Sequence, residues 1–473
     1  MAERANDGKK LVVIGAGPGG YPAAYLAAHH GLNVTLIDER AKQGGVCLNV
    51  GCIPSKALLH VARVLNESHE SADWGVTFAK PRIDLDRLRA WKDQVIGKMT
   101  GGLGAMTKAH KITFLQGRAR FSAKNTVEVE AADGRKHTLD FDAAIIATGS
   151  NPARPGPLAL QSRRVMDSTA ALDLPEIPKT LLVIGGGYIG LEMGSVYAAL
   201  GSKVSVVEML SGLLPGADRD LADALQKQLA KRFDRIMLDT RVTDMSEAKG
   251  GVKVKLLGVD LSEEQTYDRV IVSVGRVPNT RDLGLEKIEV EPDTKGFINT
   301  DNQMRTAAPN VYAIGDIVAG PGLAHKATHE GRVAVEAILG KPTAFDPNAI
   351  PAVVFTDPEV AWAGLTENDC RDKGIDHKVA RFPWVASGRA TTLGRSDGLT
   401  KIIVDPLTDR LLGVGIVGVS AGDLIAEAAL ALEMGATATD LARTIHPHPT
   451  TSETLMEAAE LYHGHSAHFI ARK

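Results

Sequence analysis

The chain has 473 residues, too many for one hydrophobic core, so its length predicts two to four domains. Hydrophobic residues make up 44% of the chain and charged residues 23%, which is typical of a soluble globular protein. Aromatic residues are scarce at 4%, the formal charge is -3 and no long basic run occurs, which together exclude a nucleic-acid partner. No apolar run approaches the roughly 20 residues of a membrane span. Since the N-terminus is also polar, we expect a cytoplasmic protein that does not bind a membrane.

The first predicted element is a strand, glycine turn, helix and second strand that ends in an acid. An apolar run at 11–14 enters GAGPGG, an alanine-rich stretch follows, and a second apolar run ends at Asp38. The same order recurs around GGGYIG and ends at Glu208, and each acid lies 18 residues after the third glycine of its motif. This pattern predicts two dinucleotide sites, in which the glycines permit the turn, the approach of the pyrophosphate and helix–strand packing. The glycines concerned are Gly15, Gly17 and Gly20 in the first copy and Gly185, Gly187 and Gly190 in the second.

The two acids indicate which nucleotides bind. Asp38 and Glu208 are each expected to hydrogen-bond an adenosine ribose, and Glu39 is the competing candidate in the first copy. A carboxylate there repels a 2′-phosphate, and no arginine follows Glu208 until Arg219, so NAD is favoured over NADP. Two dinucleotides in one chain imply an electron relay between a flavin and a nicotinamide.

The remaining elements complete the predicted fold. Residues 141–150 and 310–319 each run from an apolar strand into a turn of small residues, and another strand with a glycine end lies at 267–279. Beyond about residue 350, alternating apolar positions and turn residues indicate antiparallel sheet. We therefore predict an α/β protein with two Rossmann-like dinucleotide-binding domains and a C-terminal α+β domain. The predicted boundaries are 1–150, 151–280, a central segment 281–349, and 350–473.

Two of the three cysteines lie close together in GGVCLNVGCIPSK, residues 44–56. A regular α-helix would separate Cys47 and Cys52 by about 7.5 Å along its axis, whereas a disulfide needs Cα atoms within about 7 Å. The helix must therefore be distorted or only begin here, as Gly51 and Pro54 allow. A strained, accessible disulfide is the labile, catalytic kind. The alternative is a zinc site, but Cys370 is alone and no partner pair exists, so we favour redox chemistry and predict no metal.

A stiff His446-Pro-His448-Pro segment near the C-terminus precedes a predicted helix. The residues Thr450 to Glu453 fit a capping box, so Glu453 either caps this helix or orients His448 as a general base.

These motifs together resemble the flavin-dependent pyridine nucleotide–disulfide oxidoreductases over nearly the whole chain. The segments concerned are GGVCLNVGCIPSKALLH, GAGPGG, IIATGS, GGGYIGLEMG, SVGRVPN, YAIGDIV, FTDPEVAWAGLTE and HPHPTTSE. Within the family, the likeness is greatest to members that oxidise dihydrolipoyl groups with NAD⁺. The resemblance implies FAD in the first unit, NAD in the second, and a homodimer formed through the C-terminal domain. It also implies, as partners, lipoyl domains of 2-oxo acid dehydrogenase acyltransferases or the glycine-cleavage carrier protein.

The resemblance also assigns roles to individual residues. It implies that Cys47 exchanges with substrate, that Cys52 lies against the flavin, and that His448 with Glu453 serves the disulfide of the partner subunit. Lys56 would lie near the flavin and pair with Glu192, while a surface lysine is the alternative interpretation from the sequence alone. The other residues implied to bind FAD are Asp38, Gly117, Thr148, Gly149, Ser150, Asp316 and Ala324. Those implied to bind NAD are Glu208, Val242 and Gly275.

Three alternative functions make different demands on the sequence. A glutathione reductase would carry basic residues near position 208, and a mercuric reductase would carry a cysteine pair near the C-terminus; neither occurs here. In a redox-responsive protein that only binds FAD and NAD, the cysteine pair and the His448–Glu453 arrangement would have no function. We therefore favour an enzyme that oxidises dihydrolipoyl groups.

Overall fold

The computed structural model describes residues 8–259 and 261–470, and within them the chain forms two compact units. Each unit is assembled from three separate segments of the chain. The first unit contains 8–57, 84–153 and 275–346, and the second contains 58–83, 154–259, 261–274 and 347–470.

The first unit is built on a sheet whose parallel part has the order β17-β6-β1-β2-β3. Strand β3 then pairs antiparallel with β4, and β4 with β5, while β7 and β16 form a separate two-stranded ribbon. The strands are β1 (Lys10–Ile14), β2 (Asn33–Asp38), β3 (Thr113–Ala123), β4 (Thr126–Ala131), β5 (Lys136–Asp140), β6 (Ala143–Ile146), β7 (Ser150–Pro152), β16 (Arg276–Pro278) and β17 (Val311–Ala313). The helices are α1 (Gly20–His29), α2 (Gly45–Val50), the start of α3 (Cys52–Glu70), α4 (Leu85–Ala109) and α8 (Ala324–Ile338).

The central strands of this sheet are buried on both faces, which explains their continuous apolar runs. In β1, Leu11 and Val13 belong to one hydrophobic core, while Val12 and Ile14 belong to another on the opposite face. This division follows the two-residue side-chain period of a strand. The strand therefore holds its carboxyl end, where the first glycine loop begins, between two packed layers.

The second unit repeats the parallel arrangement with the strand order β11-β10-β9-β15-β8, beside an antiparallel sheet β12-β13-β14. The strands are β8 (Val165–Met166), β9 (Thr180–Ile184), β10 (Lys203–Val207), β11 (Arg235–Met237), β12 (Thr240–Ala248), β13 (Gly251–Gly258), β14 (Ser262–Tyr267) and β15 (Arg269–Val272). The helices are α5 (Ser168–Leu172), α6 (Tyr188–Leu200) and α7 (Arg219–Leu229).

The second unit also contains a five-stranded antiparallel sheet of order β18-β19-β22-β21-β20, as the alternating pattern beyond residue 350 predicted. Its strands are β18 (Ala352–Val354), β19 (Glu359–Gly364), β20 (Lys378–Pro383), β21 (Leu399–Val404) and β22 (Leu411–Gly418). Its helices are α9 (Glu367–Asp372), α10 (Gly388–Thr392), α11 (Ala421–Met434), α12 (Ala438–Arg443) and α13 (Glu453–Tyr462). The predicted fold class is confirmed: two Rossmann-like sheets and a C-terminal α+β region.

One helical stretch, Gly45–Trp74, is long and apolar enough to cross a membrane, with a mean hydropathy of 1.3 over its most apolar 18 residues. The sequence analysis, which considered uninterrupted apolar runs, expected no such segment. The stretch is divided at Gly51 and contains both Cys47 and Cys52. Core helices of soluble proteins also have this length and hydropathy, so these properties alone do not assign the protein to a membrane.

Candidate functional site

The first glycine of each predicted nucleotide loop makes the tight turn that follows a parallel strand. Gly15 and Gly185 have φ values of 104° and 106°, in the left-handed region that favours glycine. A Cβ atom at these positions would lie 2.2 Å from the Ala147 carbonyl oxygen and 2.5 Å from that of Ser273. Both positions therefore require glycine for conformation and for space.

The second and third glycines of the two loops also have similar surroundings in both copies. A Cβ atom at Gly20 or Gly190 would lie only 1.8 or 2.3 Å from the carbonyl oxygen of the first glycine of its own loop. In contrast, the nearest atom to a Cβ at Gly17 is 3.8 Å away, and a Cβ at Gly187 meets nothing within 4 Å. The third glycine is thus needed for helix–strand packing, while the second leaves the backbone open. An open backbone beside a helix N-terminus fits a dinucleotide pyrophosphate.

Asp38, at the end of β2, turns its carboxylate toward the first glycine loop. The Ala16 backbone N–H donates to Oδ2 at 2.7 Å, and the Arg40 backbone N–H donates to Oδ1 at 2.8 Å. The competing candidate, Glu39, is exposed and lies 3.7 Å from Arg118. The geometry therefore favours Asp38 as the acid that faces a bound nucleotide.

Glu208 has the same arrangement at the second glycine loop. The Gly186 backbone N–H donates to Oε2 at 2.7 Å, and the Leu210 backbone N–H donates to Oε1 at 2.9 Å. Hydrogen bonds to a carboxylate are stronger than neutral ones, so they hold the side chain in one orientation. Because each carboxylate oxygen can accept two hydrogen bonds, Glu208 and Asp38 retain capacity for ribose hydroxyls. Their ribose roles stay predictions.

The structure brings together Ser150 and Asp316, which are far apart in sequence. The Ser150 hydroxyl donates to Asp316 Oδ2 at 2.5 Å, and Arg276 Nε donates to the same hydroxyl at 2.6 Å. Arg276 Nε also lies 3.9 Å from Asp316 Oδ2. No role was predicted for Arg276 from the segment SVGRVPN, although an arginine directly after a strand-ending glycine was a visible signal.

The turn at 148–150 is fixed by a second residue that the sequence analysis missed, Asn279. Its backbone N–H donates to the Gly149 carbonyl oxygen at 2.8 Å, and its side-chain amide donates to the Thr148 carbonyl oxygen at 3.0 Å. The Thr148 hydroxyl donates in return to the Asn279 carbonyl oxygen at 2.7 Å. These three hydrogen bonds hold the proposed cofactor turn against the segment that follows β16.

Four more predicted contact residues lie where a strand changes its partner, beside a bulge, between two strands, or at the start of a helix. Gly117 is buried at the point where β3 leaves β2 and begins to pair with β4. Ala324 is the first residue of α8, and Val242 lies beside a bulge in β12. Gly275, with a φ of 128°, connects β15 to β16 and is the first residue of the last segment of the first unit. Their cofactor contacts remain predictions.

The cysteine pair spans a break in the helix, which confirms the predicted distortion. Helix α2 ends at Val50, Gly51 has φ -147° and ψ -113°, and α3 begins at Cys52. A Cβ atom at Gly51 would lie 2.9 Å from the Val46 carbonyl oxygen, closer than such contacts normally occur. Glycine therefore allows the chain to change direction between the two cysteines.

In the structure Cys47 and Cys52 are thiols, with Cys47 partly buried and Cys52 exposed. The hydrogen bond with Cys52, together with burial, raises the pKa of the Cys47 thiol, while the positive charge of Lys56 acts in the opposite direction. Burial and, next, an electrostatic interaction with Cys47 raise the pKa of Tyr21, so this tyrosine is a neighbour for which no role was predicted from the sequence. Its place directly after GAGPGG was the available signal.

The acid and base predicted to pair near the flavin lie on different helices. Lys56 is on α3, four residues after Cys52. Glu192 is on α6 with 3% of its surface exposed, and its Oε1 accepts the Phe355 backbone N–H at 3.1 Å. The two residues belong to different compact units, and their pairing stays a prediction.

His448 and Glu453 are joined by a hydrogen bond of 2.9 Å between Nδ1 and Oε1. The predicted capping box does not form, because α13 begins at Glu453 directly after Ser452 and the Thr450 hydroxyl donates to the Pro447 carbonyl oxygen. Glu453 Oε2 instead accepts the Thr450 backbone N–H at 2.7 Å while Oε1 holds the histidine. Although burial opposes it, these hydrogen bonds keep the pKa of Glu453 below its usual value. A carboxylate on Nδ1 leaves Nε2 of the neutral ring as a proton acceptor.

One acidic cluster in the described part of the chain has the spacing of a metal site but surrounds a lysine. Oxygens of Asp218, Asp220 and Glu367 lie within 4.8 Å of one another. Nζ of Lys401, which is 1% exposed, lies 2.7, 3.0 and 2.5 Å from the three carboxylates in that order. The ammonium group supplies the positive charge, and the cluster is a buried ion-pair network.

Comparison with known families covers almost the entire chain. The family described as pyridine nucleotide-disulphide oxidoreductase matches residues 9–331, and the dimerisation domain of the same family matches residues 350–459. The chain belongs to the pyridine nucleotide-disulphide oxidoreductases. This confirms the family to which the sequence motifs pointed.

Relatives within this oxidoreductase family match from end to end. The dihydrolipoyl dehydrogenase of Haemophilus influenzae is 49% identical over 96% of this chain and 95% of its own. That of Thermus scotoductus is 48% identical over 98% and 99%. Among solved structures, LpdA from Mycobacterium tuberculosis superimposes with a TM-score of 0.89 at 27% identity, covering 96% of this chain and 99% of the other.

Proposed function

We propose that the chain is a dihydrolipoyl dehydrogenase, which oxidises protein-bound dihydrolipoyl groups with NAD⁺ through Cys47 and Cys52. The observation that carries the proposal is the thiol pair across the helix break at Gly51, joined by a side-chain hydrogen bond and close to the charge of Lys56. Relatives of this name at 48–49% identity support the substrate, and the family description supports a pyridine nucleotide as the oxidant. Lipoyl groups on acyltransferase components or on the glycine-cleavage carrier are the proposed physiological donors.

The first half of the reaction is a thiol–disulfide exchange. The oxidised enzyme contains a Cys47–Cys52 disulfide, and a substrate thiolate attacks it at Cys47, which breaks the disulfide and releases Cys52 as a thiolate. The second substrate thiol then displaces Cys47, which yields a lipoyl disulfide and the two cysteine thiols present in the structure. Two electrons and two protons pass from substrate to enzyme.

His448 is the proposed base in this exchange, since only the thiolate attacks a disulfide. Nδ1 donates to Glu453, so the neutral ring offers Nε2 to the substrate thiol. Glu453 remains a carboxylate because its pKa is lowered, and it stabilises the positive ring that proton uptake produces. His448 thus moves the proton while the cysteines accept the electrons.

The residues present fit the two dinucleotides that this reaction needs. The open backbone at Gly17 and Gly187 suits a pyrophosphate, and Asp38 and Glu208 suit a ribose. We assign FAD to the first loop because the cysteines directly follow that unit, and NAD to the second. When bound, FAD supplies the two-electron relay from the cysteine dithiol to NAD⁺. The chain's part is to hold both dinucleotides and to keep the loops in position.

The test is turnover by the purified protein. We expect a yellow protein with one FAD per chain that forms NADH from NAD⁺ with dihydrolipoamide but not with glutathione. As a matched pair, Gly17→Val closes the proposed pyrophosphate position and lowers FAD content, whereas Gly97→Ala, in an equally open place on α4, leaves it unchanged. A colourless protein that takes up no flavin, or one that ignores dihydrolipoamide, contradicts the proposal.

A second prediction concerns the choice of nicotinamide cofactor. Replacing Glu208 with glutamine and the exposed Met209 with arginine should raise kcat/KM for NADP⁺ relative to NAD⁺ by about tenfold or more, because like charges brought together cost several kcal/mol. Glutamine keeps one oxygen for the backbone N–H groups that now bind Glu208. Steady-state rates with both cofactors give the ratio. Glu247→Gln, an exposed acid on β12, is the control. If the unaltered protein uses both cofactors equally, the assignment of Glu208 is wrong.

A further inference from the structure

The two histidines of the HPHP segment have opposite environments. The His446 side chain is 3% exposed, whereas that of His448 is 73% exposed. A mostly buried polar ring requires hydrogen-bond partners, since burial without them is costly. No role was predicted for His446 from the sequence, and the proposed reaction does not use it.

Both nitrogens of the His446 ring have partners. Nε2 lies 2.7 Å from Oε1 of Glu427 on α11, and Nδ1 lies 2.8 Å from the Thr444 carbonyl oxygen. A carbonyl oxygen and a carboxylate are both acceptors, so a ring protonated on both nitrogens satisfies the two contacts together. The contact between His446 and Glu427 is shielded from solvent on the histidine side.

Helix α11, which carries Glu427, is held in place by its packing. Its other face buries Ile425, Ala428 and Leu432 in the hydrophobic core of the antiparallel sheet. The segment that carries the histidines lies between α12 and α13 and contains two prolines, which restrict its backbone. A contact from α11 to His446 therefore fixes the chain two residues before His448.

We propose that His446 and Glu427 are a positioning pair that, together with Glu453, holds the His448 ring in place for proton transfer. Glu453 holds the ring itself at 2.9 Å, and the His446–Glu427 pair holds the backbone from which that ring projects. Two independent restraints matter because an exposed ring on a connecting segment otherwise samples orientations that are unproductive. The inference rests on the proposed function, in which His448 is the base.

The test compares two reactions of the FAD-loaded protein. His446→Ala and Glu427→Ala should each lower kcat for dihydrolipoamide oxidation about tenfold or more, since small misplacements of a catalytic group are costly. The KM for NAD⁺ and the reduction of ferricyanide by NADH should not change, because neither needs a base at the substrate thiol. Glu427→Gln, which keeps an oxygen for the Nε2–H donor, should restore at least half of the lost activity. His465→Ala, an exposed histidine beyond α13, is the control.

A double-mutant cycle separates the pair from two unrelated effects. If the residues act as one unit, the kcat of the variant with both alanines is no lower than the kcat of either single variant. Wild-type kcat in Glu427→Ala, additive losses in the double variant, or an equal loss of ferricyanide reduction would each overturn the inference. Should His446→Ala fail to fold, the two Glu427 variants decide it. An unaltered protein without dihydrolipoamide activity refutes the proposed function instead.

Discussion

Replacing Cys52 with serine is expected to lower dihydrolipoamide oxidation about a thousandfold or more, the usual scale for loss of one essential member of a catalytic group. Serine cannot form the disulfide that the exchange consumes, so the substrate has no electron acceptor. Reduction of ferricyanide by NADH should persist, because those electrons need not pass through the cysteines. Steady-state rates of the two reactions, with thiol counts before and after dithionite reduction, check the prediction.

The third cysteine provides the matched control for this experiment. Cys370 is fully buried on α9, so Cys370→Ala removes a thiol and some packing, but activity per folded chain should stay unchanged. If Cys52→Ser keeps more than a tenth of the activity, the proposed electron path is wrong. Bound zinc that is lost together with the fold in the same variant would support the metal alternative.

The second large effect is expected from mixed dimers. We predict that His448 of one chain completes the cysteine site of its partner, because the ring is 73% exposed and lies in the region matched by the family's dimerisation domain. Chains with Cys52→Ser and chains with His448→Gln should each be inactive alone. In the isolated heterodimer, shared sites leave one intact site of two, so about half of the wild-type activity should return.

A reciprocal dimer makes this test decisive. A chain that carries both substitutions is paired with an unaltered chain, using two affinity tags to isolate the heterodimer. With shared sites, each of its two sites contains one defect and activity is absent. If each chain supplies its own base, the unaltered chain stays active and half of the activity remains, while the first mixture shows no rescue. The two arrangements thus give opposite results in both experiments.

Local sequence patterns were sufficient to predict those features of the site that depend on residues close together in the sequence. The two glycine loops, the acids Asp38 and Glu208, and the helix break at Gly51 were all predicted, since turn geometry and strand period are encoded within about 20 residues. The sequence also allowed two alternative roles for Glu453, either capping α13 or orienting His448. The structure shows Glu453 holding His448 through Oε1 and the Thr450 backbone N–H through Oε2, while it is itself the first residue of α13 and does not form the capping box.

The missed residues act over long distances in sequence. Arg276 contacts Ser150 across 126 residues, and Lys401 contacts Asp220 across 181. Such pairs arise when strands or helices from distant segments become neighbours, which no local periodicity reports. Glu427 and His446 are only 19 residues apart, but the connection turns back between two helices, so helical spacing did not reveal their contact. The predicted four-part division of the chain stays a prediction.

The hydrogen bonds that hold Asp38 and Glu208 are donated by main-chain groups. They therefore do not depend on which side chain the donor residue carries. A backbone N–H is supplied by every residue except proline. Positions 16 and 40 in the first copy hold alanine and arginine, while the equivalent positions 186 and 210 hold glycine and leucine, with the same four contacts. Substitutions at positions 40 and 210 should leave both acids in place. Positions 16 and 186 are restricted by space, because Ala16 is fully buried and a Cβ atom at position 186 would lie 2.6 Å from the Leu213 side chain.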